Sequence, residues 1–82
     1  MGETIKVAEF VQKMEALRDD MRQGKLKHGE YDQRLARIIT ELRDRKLDAE
    51  RPVIESTIND LLGRGVITPA VKDHLRARLG LA

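Results

Sequence analysis

The residues around Gly24 have the spacing of a calcium-binding loop. Asp19, Gly24 and Glu30 fall where such a loop needs its first carboxylate, its turn glycine and its bidentate glutamate. Met21 and Gln23 hold the intermediate ligand positions, and a thioether is a poor ligand for a hard cation. The sequence therefore predicts a helix-breaking turn at this place and no bound metal.

The other titratable residues do not form a catalytic set. His28 and His74 each lack a second histidine or a cysteine at a ligand spacing. Acid pairs such as Asp19–Asp20 fall on faces that we expect to be solvated, whereas catalytic carboxylates need burial to separate their pKa values. The sequence contains no phosphate loop, dinucleotide fingerprint or nucleophile elbow. We predict a protein that is not an enzyme and that uses no cofactor.

Three basic residues near the end of the sequence are candidates for phosphate contacts: Lys72, Arg76 and Arg78. Residues 58–81 resemble the opening of a helix-turn-helix motif, but the sequence ends at Ala82, where the groove-reading helix would follow. At helical spacing Arg78 points away from the row of Lys72 and Arg76. A small nucleic-acid-binding regulator of phage or plasmid type is therefore the alternative hypothesis, and a net charge of +2 gives it little support.

The composition indicates one small domain with an aliphatic core. Hydrophobic residues make up 40% of the 82 residues, but the chain has one phenylalanine, one tyrosine and no tryptophan. Small cores often depend on association with a second chain, so we expect a protein partner. No apolar run approaches the ~18 residues of a membrane span, and the lack of cysteine suits a reducing compartment. We expect a soluble, cytoplasmic single domain over residues 1–82.

Four amphipathic helices explain the spacing of the apolar residues. They are predicted at about 4–23, with Thr4 as N-cap, then at 30–46, 52–63 and 68–80, with Thr68 as N-cap of the last. Gly24 and Gly65 end the first and third helices, because glycine takes the left-handed conformation without steric cost. The predicted fold class is all-α, with two consecutive antiparallel helical hairpins over about 4–47 and 52–80. Whether the second and third helices are continuous across 48–52 is left open.

Apolar residues of the first hairpin form the candidate protein interface. Those on the first helix recur at three- and four-residue steps, and those on the second are expected to face them. The two sets are Val7, Phe10, Met14, Leu17 and Met21, and Tyr31, Leu35, Ile38 and Leu42. We expect this face to bind a second copy of the chain or another protein, and we expect no membrane or small-molecule partner. Leu26, Val66 and Ile67, which follow the two glycine stops, are predicted to plug the open end of each hairpin.

Both glycine stops also carry a short sequence motif. The first has Leu17, Met21, Gly24 and Leu26 followed by Glu30 and Tyr31, and the second has Leu61, Leu62, Gly65, Ile67 and Thr68 followed by Leu79, Gly80 and Leu81. These motifs resemble two degenerate copies of the short C-terminal (SHOCT) domain, a small bacterial helical hairpin. Lys27 replaces the threonine of that pattern, and Val71-Lys72 replaces its Glu-aromatic step in the second copy. The resemblance implies a non-enzymatic module for oligomerisation or for attachment to other proteins.

Overall fold

Four α-helices form the chain in the computed structural model, which describes residues 4–81 except for the side chain of Arg43. They are α1 (Val7–Arg22), α2 (Glu30–Asp44), α3 (Arg51–Gly63) and α4 (Pro69–Arg78). The predicted all-α fold is confirmed. The second and third helices are separate, because residues 45–50 between them are not helical.

The helices pack as two antiparallel hairpins. Lys13, in the first half of α1, lies 2.7 Å from Glu41 near the end of α2. Asp20, near the end of α1, lies 3.1 Å from Arg34 near the start of α2. α1 also contacts α3, and α4 contacts both α2 and α3. Each helix therefore has two neighbours, and the two hairpins stack on each other.

Glycine ends α1 and α3 in the same way. Gly24 has φ 71° and Gly65 has φ 73°, which is the left-handed region. After Gly24, the N–H of Lys25 donates to the carbonyl of Asp20 at 3.0 Å. After Gly65, the N–H of Val66 donates to the carbonyl of Leu61 at 2.9 Å. These bonds satisfy carbonyls that the helix end would otherwise leave without partners, and they turn the chain back on itself.

The two predicted threonine caps have opposite outcomes. The N-cap of α4 is confirmed, because the Thr68 hydroxyl accepts a hydrogen bond from the N–H of Val71 at 3.2 Å. The Thr4 cap is wrong, because α1 begins at Val7. The preceding Ile5 forms a parallel bridge with Leu47, and its N–H donates to the carbonyl of Lys46 at 2.9 Å. Burying the Ile5 and Leu47 side chains holds both segments extended, so α1 starts later and α2 ends earlier than predicted.

One aliphatic core joins the two hairpins. Its buried members come from all four helices and from the segments that connect them: Ile5, Phe10, Met14, Ile39, Leu42, Leu47, Ile54, Ile58, Leu61, Val66, Ile67, Val71, Leu75 and Leu81. The predicted plugs Val66 and Ile67 are buried, whereas Leu26 is half-buried. Among the described residues no charged or polar side chain is buried. The core is thus held by apolar packing, and charge is confined to the surface.

Candidate interaction surface around helix α2

α2 is packed on two sides and open on a third. It contacts α1 and α4, and a line of exposed residues runs along its remaining side at three- and four-residue steps. We call this line the outer stripe: Gln33, Ala36, Arg37, Thr40 and Asp44. The Thr40 hydroxyl donates to the carbonyl of Ala36 at 2.9 Å, so its polar atom has a partner within the helix. Between Arg37 and Asp44 the outer stripe thus carries only the short side chain of Thr40.

A groove of about 440 Å³ lies between α1 and α2, and we call it the α1/α2 groove. Apolar lining comes from Ala16, Leu17 and Ile38. The ion pairs Lys13–Glu41 and Asp20–Arg34 join the two helices across it. Two ion pairs thus bridge its walls, while Ile38 presents a half-buried apolar surface inside it.

The acidic residues of the α1/α2 groove are all paired. Arg34 lies 3.1 Å from both Asp20 and Glu30. The backbone N–H of Lys27, which donates to Glu30 at 2.9 Å, lowers the pKa of the Glu30 carboxyl below its ordinary value, and Arg34 adds to this effect. Arg37 also lines the groove, and its side chain makes no hydrogen bond or ion pair within residues 4–81. Its guanidinium is the one charge of this lining that is free to bind another molecule.

A second, smaller groove of about 240 Å³ lies between α2 and α4, and we call it the α2/α4 groove. It is lined by Leu35, Ala36, Ile39, Ala70 and Val71, with Asp32 and His74 as its polar members. Pockets for drug-sized ligands usually measure about 300–1,000 Å³. The smaller volume and the aliphatic lining fit inserted side chains of a protein better than a metabolite.

The predicted interface residues divide into buried and accessible groups. Phe10, Met14, Leu17 and Leu42 are buried inside the chain. The apolar face of the first hairpin is covered by the second hairpin, a contact that the helical spacing did not reveal. Phe10, Met14 and Leu42 therefore leave no surface for a partner, and Leu17 reaches the α1/α2 groove with only 3% of its surface exposed. The prediction that a partner touches these four side chains is corrected. The accessible members are Val7, Met21, Tyr31, Leu35 and Ile38.

Most of the accessible members lie on α2. Tyr31, Leu35 and Ile38 are half-buried along it, and burial raises the pKa of the Tyr31 hydroxyl. Leu35 lines the α2/α4 groove and Ile38 lines the α1/α2 groove. Met21 is exposed at the end of α1. The structure thus places Leu35 and Ile38, three residues apart on one face of α2, in the linings of two different grooves. The outer stripe, which helical spacing did not single out, runs along the solvent side of the same helix.

The three basic residues of α4 do not act as one set. Arg76 donates to Glu55 Oε1 at 3.1 Å and to the carbonyl of Leu81 at 3.0 Å. Lys72 is half-buried and Arg78 is exposed. Arg76 is thus occupied by contacts within the chain, so a phosphate would have to compete with them.

The acids of the first glycine turn are likewise engaged by basic groups. Asp19 is paired with Arg18 at 3.1 Å, and Glu30 with Arg34. In the part of the chain that the structure describes, no three histidine or acidic side chains converge on a metal-sized space.

None of the helices described has both the length and the hydropathy needed to cross a membrane.

Comparison with known proteins finds no similarity that identifies the chain. It matches no protein-family model, and neither the curated proteins nor the solved structures include a significant match. The resemblance to SHOCT hairpins rests on the short motifs alone and stays a prediction.

Proposed function

We propose that this chain is a non-enzymatic protein–protein interaction module that binds through α2. The main supporting observation is that both grooves border this one helix, because Leu35 lines the α2/α4 groove and Ile38 lines the α1/α2 groove. Each of these side chains is half-buried, so a partner that covers it removes further apolar area from water. The SHOCT-like motifs support the same class of function, because that family serves oligomerisation and attachment.

The outer stripe adds what an interface needs besides apolar area. Arg37 offers a guanidinium that has no partner among the described residues, and arginine is enriched at protein interfaces. The ion pairs Lys13–Glu41 and Asp20–Arg34 already neutralise one another beside it. A partner that covers the α1/α2 groove therefore needs to supply an acceptor only for Arg37, because a buried charge left without a partner would oppose binding.

Mass measurement in solution tests the proposal. Light scattering after size-exclusion chromatography, with mass spectrometry of co-purified material, should show more than the 9.4 kDa of one chain. Leu35→Gln and Ile38→Gln should each weaken the association. Val53→Gln is the matched control, because Val53 is apolar and 49% exposed but lies on α3.

Circular dichroism of all three variants separates lost binding from lost folding. The proposal fails if the folded wild-type chain remains a 9.4-kDa species at the highest concentration and binds no protein. It also fails if Val53→Gln weakens the association as much as the two α2 variants do.

A further inference from the structure

Two opposite charges without partners lie on the outer stripe. Arg37 and Asp44 are its charged members, and neither side chain makes a hydrogen bond or ion pair within the described part of the chain. They are seven residues apart, which places them on one row of the helix about 10 Å from each other. When two copies of such a helix lie side by side in antiparallel orientation, the cation of each copy faces the anion of the other.

We propose that a second copy of this chain binds α2 against α2 in antiparallel orientation, about a two-fold axis between Thr40 and Glu41. In such an isologous contact the same patch meets itself, so residue 37 of each copy faces residue 44 of the other. Arg37 of each protomer then pairs with Asp44 of its partner, twice per dimer. The inference rests on the proposed function and identifies the occupant of that surface.

The residues near the axis permit the close approach that this contact needs. Ala36 and Thr40 are short, and the Thr40 hydroxyl is already bonded to the carbonyl of Ala36 at 2.9 Å. Glu41, next to the axis, is neutralised by Lys13 at 2.7 Å, which reduces its repulsion of the same residue in the other copy. The centre of the contact therefore introduces no unpaired charge.

Charge reversal tests the pairing directly. Arg37→Asp places acid opposite acid, and Asp44→Arg places base opposite base, so each single variant should weaken the dimer about tenfold in sedimentation equilibrium. The double variant Arg37→Asp/Asp44→Arg should recover the wild-type affinity. Equimolar Arg37→Asp and Asp44→Arg should form a mixed dimer, because both contacts between the two chains are then complementary.

Controls keep the outcomes distinct. All the altered side chains are exposed, so folding is expected to persist, and circular dichroism checks it. Arg78→Asp changes the charge by the same amount on α4 and should leave the dimer intact. The α2–α2 dimer would be overturned if the single charge reversals had no effect on the dimer affinity. It would also be overturned if the two single variants, mixed in equal amounts, formed no mixed dimer. A wild-type monomer that still binds another protein through Leu35 and Ile38 would overturn the dimer and leave the proposed function standing, whereas a monomer that binds nothing would overturn both.

Discussion

Met14 and Met21 provide a matched test of the core, because they have the same side chain on the same face of α1. Met14 is 1% exposed, whereas Met21 is 49% exposed. Burial of a methionine side chain is worth about 1.5–3 kcal/mol in transfer free energy, and the cavity left by truncation adds to the loss. Met14→Ala should therefore lower the free energy of unfolding by about 2–4 kcal/mol.

The same truncation at Met21 should have a much smaller effect. About half of this side chain is already in water, and no closed cavity forms when it is removed. Met21→Ala should cost less than about 1 kcal/mol. The difference in helix propensity between methionine and alanine is common to both variants and cancels in the comparison.

Urea denaturation followed by circular dichroism measures both free energies of unfolding. The expected result is a midpoint that falls strongly for Met14→Ala and little for Met21→Ala, with the same slope. Equal losses at the two positions would refute the packing of the second hairpin against α1, and so would a larger loss at Met21.

Further predictions concern helix ends and pH. Gly65→Ala should destabilise the chain by about 1–2 kcal/mol, because Gly65 has a left-handed backbone conformation. Gly63 is the last residue of α3 and has open space around a new methyl group, so Gly63→Ala should stabilise the chain by up to about 0.5 kcal/mol. Thermal unfolding measures the sign of both changes. Thr68→Ala should cost about 1 kcal/mol and Thr68→Ser should recover most of it, as measured by urea denaturation. The lowered pKa of Glu30 means that its contribution to stability is present above its ordinary value of 4.5 and is lost as the pH falls through the folded-state pKa. Glu30→Gln should therefore make the decline in stability below pH 4.5 less steep, and an unchanged profile would contradict the Arg34 and Lys27 contacts.

Local features of the fold could be predicted from the sequence because they depend on neighbouring residues. The stop at Gly65 needs only a glycine after a helical pattern, and the cap at Thr68 needs only a hydroxyl before Pro69. The Thr4 cap failed because a distant segment competes for the same stretch. The bridge between Ile5 and Leu47 joins residues more than forty positions apart, and helix propensity contains no information about it.

The candidate surface was only partly predictable for a similar reason. Helical spacing correctly groups Phe10, Met14 and Leu17 on one face, but it cannot say whether that face meets another chain or the chain's own second hairpin. The contacts of α1 with α3 answer that question. Arg37 and Asp44 belong to the polar side of α2, and helical spacing predicts only that this side faces solvent. Only the structure reveals that neither side chain has a partner among the described residues.

The central claim is that the contact surface of this chain lies on α2, and amide chemical shifts locate such a surface directly. Unlabelled chain can be added to ¹⁵N-labelled chain while the amide chemical shifts are followed. We predict that the shift changes concentrate on α2, around Ala36 and Thr40, and leave the exposed side of α3 around Val53 unchanged. Changes centred on α3, with α2 unaffected, would contradict the assignment of α2 as the interaction surface.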